Sequence, residues 1–479
     1  MRPEYIIPVK KKIAKRLQYI NHSNKNKTLT KLPKYAMFKG YRLELVMKKD
    51  RPQWSSHASF IIATVGSAVG LGNIWRFPYI MGENGGAIFL ITYLILIAFI
   101  CIIPLLCELL IGKIYRTDTI SAFKEINPKF KWFGWLCLLT VVMIPCFYFV
   151  VGGWILNYIW IFLSNNLPTN FPTYFSSFSA EVFMPCFLTI LFLLMTAIFP
   201  YRGVNQGVEK ANNIMMPLFA LMLLIMAIFA VTLPGAKEGL EFMFKPDFSE
   251  FNKEMILTAL GQALFTLSIG MGAIITYGSY MKEETKVLKS AYTLIFFDTL
   301  IAITAGIMIF PIVFSFGVAP SAGPTLVFIS LPEMFMQLPC SSLLGLLFFV
   351  LLFFAAITSG ISMLETAVAC FINHLKIERK KATIILSTII GLISIPATLS
   401  FGPLSEFKIL DKTLFDFLDY ATSNILLPFN TLLICLIAGW CIKSLWKKSF
   451  GENLFGYAFN ILVKFIVPII LIFVLISGL

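Results

Sequence analysis

The sequence predicts an all-α polytopic membrane protein with eleven transmembrane helices. Composition, a series of long apolar segments and a charge bias between the connections support this. Of 479 residues, 58% are hydrophobic and only 13% charged, with a mean hydropathy of +0.82. Soluble domains lie nearer half apolar and a quarter charged. A helix needs about 20 apolar residues to cross a hydrocarbon core about 30 Å thick. Only helices and closed barrels satisfy their backbones there, and these segments are far longer than barrel strands of about 10 residues.

The eleven segments are 58–79, 86–112, 132–163, 182–199, 208–233, 256–280, 288–316, 340–372, 381–402, 413–441 and 456–477. Their connections alternate in charge. One set of alternate connections holds only Lys237, Lys245, Lys253, Lys408 and Lys412. Nearly all other Lys and Arg fall in the opposite set, which includes the chain start. By the positive-inside rule the N-terminus is cytoplasmic, and an odd number of spans puts the C-terminus outside. The expected location is the plasma or inner membrane.

Residues 1–50 read as a basic cytoplasmic tail, and 51–478 as a single domain. The first 53 residues carry fifteen Lys and Arg against three acids, which accounts for most of the net charge of +14. Basic and aromatic residues do not interleave there as in nucleic-acid binders, so no nucleic-acid partner is expected. Anionic membrane lipid suits such a tail. Met47, with a polar lead into the first span, offers an alternative start.

The nine cysteines lie mostly within spans and form no C-x-x-C pair, and the three histidines are scattered. The cysteines read as small apolar packing residues rather than a metal or redox site. No nucleophile elbow, Walker loop or paired His–Glu helix occurs, so no enzyme is expected.

Two spans break their own rules. The first reads Gly66-Ser67-Ala68-Val69-Gly70-Leu71-Gly72-Asn73 and continues to Pro78. The sixth reads Phe265-Thr266-Leu267-Ser268-Ile269-Gly270-Met271-Gly272. Each glycine weakens a helix by about 1 kcal/mol relative to Ala. A freed backbone group in lipid costs more unless something satisfies it. Glycines could serve only close helix packing. Two matched breaks five spans apart, with Asn73 and Asp298 also within spans, point instead to a binding site. Freed N–H groups suit an anion and freed carbonyls a cation.

With Arg51, Trp54, Glu83-Asn84-Gly85-Gly86, Pro104, Glu108, the run from Gly261-Gln262 to Tyr277, Pro324 to Pro332 and Thr358-Ser359, these segments resemble the neurotransmitter:sodium symporter family. The likeness is to its bacterial eleven-span amino-acid transporters, over about residues 50–478. It implies a leucine-transporter-like fold. That fold is a 5+5 inverted repeat (about 54–233 and 256–441) with broken helices one and six, plus an extra helix at 456–477.

The resemblance implies two sodium sites. The first would use the Ala68 carbonyl, Asn73, Thr266 and Asp298, where the family often has Asn; a carboxylate suits a hard cation. The second would use carbonyls of Gly66, Val69 and Ala355 with the hydroxyls of Thr358 and Ser359, unless those hydroxyls bond back to their own helix. Amides near Leu71 and Gly72, with Tyr148, would hold a substrate carboxylate, and Gly70 leaves room for it. Ile144, Phe265, Ser268, Met271, Ser359 and Met363 would meet the side chain. That lining is apolar and offers no partner to a charged side chain.

Arg76 and Asp419, rather than Asp416, would form the outer gate above Tyr148 and Phe265. Arg51, with Trp54 beside it, would pair with an acid at the foot of span eight, but Asn373 stands there; Glu378 is an alternative. Gly207 and Pro217 resemble the device that opens a water path through span five. Tyr93 and Gln262 match a chloride region, but with Ala302 there and Glu108 and Asp298 nearby, chloride independence is expected. Residues 320–339 would form a re-entrant outer lid. The implied function is sodium-driven import of neutral, hydrophobic or aromatic L-amino acids by alternating access, with no protein partner required. The alternative is a non-transporting sodium and amino-acid sensor on the same fold.

Overall fold

The computed structural model describes residues 35–38, 41–44, 51–318, 326–442 and 449–478. It divides at residue 50 into two units. The first contains an antiparallel pair, Tyr35–Phe38 with Tyr41–Glu44, in which Tyr35 faces Glu44. A basic tail alone carries no signal for that hairpin; the rest of the tail lies outside the described residues.

The second unit is a helix bundle. Among the described residues, nine helices are long and apolar enough to cross a membrane: Ala87–Tyr115, Pro128–Leu163, Phe183–Arg202, Val204–Ala230, Val287–Ser315, Ser341–Leu375, Arg379–Leu399, Leu414–Cys441 and Leu454–Ile476. They are spans two to five and seven to eleven. Span one is a bent pair, His57–Ala68 and Gly72–Glu83, meeting at 56°. Span six is split into Lys253–Thr266 and Ala273–Gly278. The boundaries match the hydropathy reading within a few residues, and the two exceptions are the two predicted breaks.

Local chemistry sets the helix starts. Ser56, Asp118, Asn252 and Thr413 each accept a hydrogen bond from an amide three residues on, satisfying one of the donors a helix start leaves free. The outer surface is apolar, as lipid requires: Phe99, Trp160, Phe183 and Leu392 are each about two-thirds or more exposed. The bundle interior is closely packed. Gly112 of span two lies so near span six that an added Cβ would sit 2.2 Å from the Ile275 carbonyl oxygen. Such small-residue contacts let membrane helices approach closely.

Short helices cover the connections: Thr119–Ile126 after span two, Phe171–Ala180 after span three and Ala236–Phe244 after span five. Of the expected lid, Ser330–Met336 is helical, with Leu331, Pro332 and Phe335 buried. Residues 320–325 lie outside the described residues.

Candidate functional site at two broken helices

Span one leaves helical geometry at Val69, which is extended, and resumes at a widened turn from Gly72. Asn73 holds the break from within: its Oδ1 accepts from the Gly70 N–H at 3.2 Å. Span six leaves the helix at Leu267. Ser268 (φ 54°), Gly270 (φ 93°) and Gly272 (φ 78°) all take left-handed backbone, which explains the glycines there. Ser268 Oγ donates to the Ser67 carbonyl at 2.9 Å, joining the two breaks. Glu108 of span two, fully buried, accepts from the Gly270 N–H at 2.6 Å. Thr119 donates to the Gly272 carbonyl at 3.1 Å. Two of the freed backbone groups of span six are thus partnered by side chains of neighbouring elements.

The breaks flank a cavity of about 50 Å³. It is lined by Ala68, Gly70, Leu71, Gly72, Ile144, Tyr148, Phe265, Thr266, Ser268, Met271, Ser359 and Met363, the full set proposed from sequence for substrate. Ser67 and Leu427 line it too. No charged side chain of the described residues does. The Tyr148 hydroxyl lies beside the Leu71 amide and Ser359 but makes no hydrogen bond of good geometry among the described residues. An ideal Cβ on Gly70 would sit 3.2 Å from that hydroxyl oxygen.

Asn73, Thr266 and Asp298 meet at one end, all buried. Asn73 Nδ2 donates to Asp298 Oδ1 at 2.9 Å and Thr266 Oγ1 donates to the same oxygen at 3.1 Å. This oxygen-rich cluster, with one carboxylate, suits a hard monovalent cation. Ser359 Oγ lies 3.5, 3.4 and 3.1 Å from the carbonyl oxygens of Gly66, Ser67 and Val69, so these carbonyls converge on one point. Thr358 bonds back to its own helix, donating to Phe354 at 2.8 Å and Ala355 at 3.2 Å. That hydroxyl keeps its oxygen lone pairs for a cation, so the back-bond and the ligand role are compatible. Among the described residues no cluster of three His, Cys, Asp or Glu could hold a metal, so these oxygen sets are the candidate cation sites.

The Tyr93 hydroxyl lies beside Asp298. Among the described residues it and Gln262 Oε1 lack hydrogen-bond partners, while Gln262 Nε2 donates to the Gly72 carbonyl at 2.9 Å. A fixed carboxylate therefore stands at the region matched to chloride.

The gates differ from expectation. Arg76 and Asp419 form no ion pair within 4.0 Å among the described residues. The Arg76 guanidinium lies over the Phe265 ring at 4.7 Å, and Asp419 accepts from Ser423 Oγ, one turn along, at 2.8 Å. Each has a local partner, and Asp416 is taken up by Thr413. A second cavity of about 220 Å³, lined by Arg76, Phe265, Ser423 and Leu427 among others, adjoins the first through Phe265 and Leu427.

The opposite side is shut. Trp54 is buried; its indole donates to the Tyr277 carbonyl and its amide to the Tyr280 carbonyl, both at 3.1 Å. Glu209 of span five holds the Ser55 amide at 3.1 Å. Arg51 pairs with neither Asn373 nor Glu378. Its guanidinium lies over the Tyr280 ring at 4.8 Å, with Nε and Nη2 buried and without a hydrogen-bond partner among the described residues. Tyr280 donates to Glu365 at 2.8 Å, and Glu365 pairs with Arg379 at 2.5 Å. Sequence reasoning passed over Glu365 and Glu209, although an acid inside a span is by itself a functional signal. Gly207 lies in a widened turn, Val204–Glu209, ahead of Pro217.

The model of the "Sodium:neurotransmitter symporter family" matches residues 51–181 and 179–479. An uncharacterized sodium-dependent transporter, YhdH of Bacillus subtilis (strain 168), is 36% identical over 90% of this chain and 98% of its own length. The sodium- and chloride-dependent GABA transporter 2 of Rattus norvegicus is 27% identical over 87% of this chain and 77% of its own. A crystal structure of MhsT in complex with L-phenylalanine is 41% identical and covers 90% of this chain and 100% of that one, with a TM-score of 0.83. With its broken helices and its oxygen-lined clusters, the chain belongs to the sodium:neurotransmitter symporter family, whose members are sodium-dependent membrane transporters and not enzymes.

Proposed function

We propose that this chain imports neutral hydrophobic or aromatic L-amino acids with sodium. The observation that carries this is the lining of the cavity between the breaks. An unpartnered Tyr148 hydroxyl and the Leu71–Gly72 amides stand at the Gly70 end, and the rest is apolar with no charged side chain. An α-carboxylate fits the first part, and an uncharged side chain the second. The phenylalanine bound by MhsT supports the same class.

Two sodium ions bind, one at Asn73, Thr266, Asp298 and the Ala68 carbonyl, the other at Gly66, Val69, Ala355, Thr358 and Ser359. In the first, Asp298 supplies the negative charge that chloride would otherwise provide, so transport is chloride-independent. Binding draws Arg76 and Phe265 over the cavity; release of Trp54 and the adjoining half of span six then opens the cytoplasmic path. No bond is made or broken, and the inward sodium gradient drives the cycle. The N-terminus faces the cytoplasm, and the protein resides in the plasma or inner membrane as a single transport domain.

Thermal unfolding tests the binding step. In sodium, Leu, Phe and Trp raise the melting temperature while Lys and Asp do not; in potassium none does. Stabilisation by Lys or Asp, or by any of these without sodium, contradicts the reading.

A further inference from the structure

At the foot of span eight, Asn373 occupies the place of the acid expected opposite Arg51. A carboxylate is nevertheless buried next to it, brought by another element. Asp118, in the connection after span two, has a side chain with no solvent exposure. Its Oδ2 accepts from Asn373 Nδ2 at 2.7 Å. Its Oδ1 accepts from the Ser121 N–H at 3.1 Å and lies 3.1 Å from His374 Nε2. Asp118 and Arg51 both act electrostatically on Cys370, so both charges lie near the foot of span eight.

The next residue reaches the transport site's moving part. Thr119 donates to the Gly272 carbonyl, the last residue of the span-six break. An ideal Cβ on Gly272 would lie 2.6 Å from Thr119 Oγ1, so the contact is tight. Beyond Gly272, the helix Ala273–Gly278 leads to the carbonyls of Tyr277 and Tyr280 that hold Trp54. One short segment, 118–121, therefore ties the foot of span eight to the lower half of span six.

We propose that Asp118 is the inner-gate positioning residue of this chain: its buried carboxylate clamps Asn373 and His374 and, through Thr119, keeps the lower half of span six closed until the cytoplasmic path opens. At the Asn373 position, where the family resemblance places an acid, the negative charge is supplied here from the loop after span two; Glu365, higher on span eight, is taken up by Arg379. This rests on the transport reading for its consequence, but the clamp is measurable without transport. Burial pushes the Asp118 carboxyl up, yet hydrogen bonding with His374, Ser121 and Asn373 holds it well below the usual carboxylate range. It therefore stays ionised as the clamp requires.

The test is hydrogen–deuterium exchange of the full chain in sodium-containing detergent, for the wild type, Asp118→Asn, the exchanged pair Asp118→Asn/Asn373→Asp, and Thr119→Val. Asp118→Asn should speed exchange in 273–281 about tenfold or more, the scale of losing one hydrogen bond to a charged group, with little change in spans three and nine. The exchanged pair returns the acid to span eight and should restore protection. Thr119→Val should loosen 273–281 alone, leaving 119–126 protected; it also decides the matter should Asp118→Asn not fold. Unchanged exchange in 273–281 in Asp118→Asn, or in Thr119→Val where the first variant is unfolded, overturns the proposal. So does uniform loosening that the exchanged pair does not repair. An absence of uptake in the wild type would count against the transport reading and leave these results intact.

Discussion

Gly70→Ala separates binding from folding. Gly70 lies outside the left-handed region, so Ala adds no backbone strain. Its Cβ would sit 2.7 Å from Ser359 Oγ and 3.5 Å from Ser359 Cβ, so only the hydroxyl must turn away. That gives up the 3.1 Å bond to the Val69 carbonyl, a loss of about 1 kcal/mol. The fold should survive. Binding should not, because the same methyl lies 3.2 Å from the Tyr148 hydroxyl oxygen, in the space a carboxylate would take. Overpacking costs about 1–3 kcal/mol, and a displaced charge-assisted hydrogen bond costs about 1.5–3 kcal/mol. A combined loss near 3 kcal/mol is about 150-fold in affinity. Equilibrium binding of radiolabelled Phe and Leu in saturating sodium reads this directly, with thermal unfolding as the control. Affinity within threefold of wild type in a folded Gly70→Ala would refute the placement of the carboxylate.

Asp298→Asn removes the only formal charge of the first cation cluster while keeping acceptors for Asn73 and Thr266. Sodium titration of thermal stability should show apparent affinity falling about 10-fold or more, the scale of one charge-assisted interaction. Arg76→Ala removes the cation from the Phe265 face, worth about 0.5–2 kcal/mol; amino-acid dissociation should speed several-fold while the sodium midpoint holds. Asp118 has a depressed pKa in the folded protein. Its stabilisation is therefore present above the ordinary carboxylate pKa of about 4 and lost as pH falls through the lower folded value. The melting-temperature difference between wild type and Asp118→Asn should not narrow until pH drops below about 4; narrowing between pH 7 and 5 would contradict it.

Much of this was legible in the sequence because lipid makes unusual demands. A span must be long, apolar and helical, so hydropathy alone located the eleven segments. A Gly-x-Gly break costs so much there that it reads as a site, and the proposed substrate residues do surround one cavity. What stayed hidden depends on which distant elements meet. Nothing local in Asp118 reveals that it would be buried against Asn373 and His374, 255 and 256 residues away. Arg76 and Asp419 were paired by the family resemblance, but a resemblance does not report distance, and each has a neutral neighbour closer to hand. Glu365 was legible as an acid within a span; its partner Arg379 lies fourteen residues on, past the turn between spans eight and nine.

The proposed cycle moves a neutral amino acid with sodium through a site anchored by Asn73. Its most direct test is uptake of radiolabelled Leu, Phe, Trp and Lys into proteoliposomes, under an inward sodium gradient against potassium, for wild type and Asn73→Ala. Sodium should drive accumulation of at least one of Leu, Phe and Trp, Lys should be excluded, and Asn73→Ala should abolish accumulation. Sodium-dependent binding without accumulation in the wild type would make the protein a sensor on a transporter fold and rule out the proposed transport cycle.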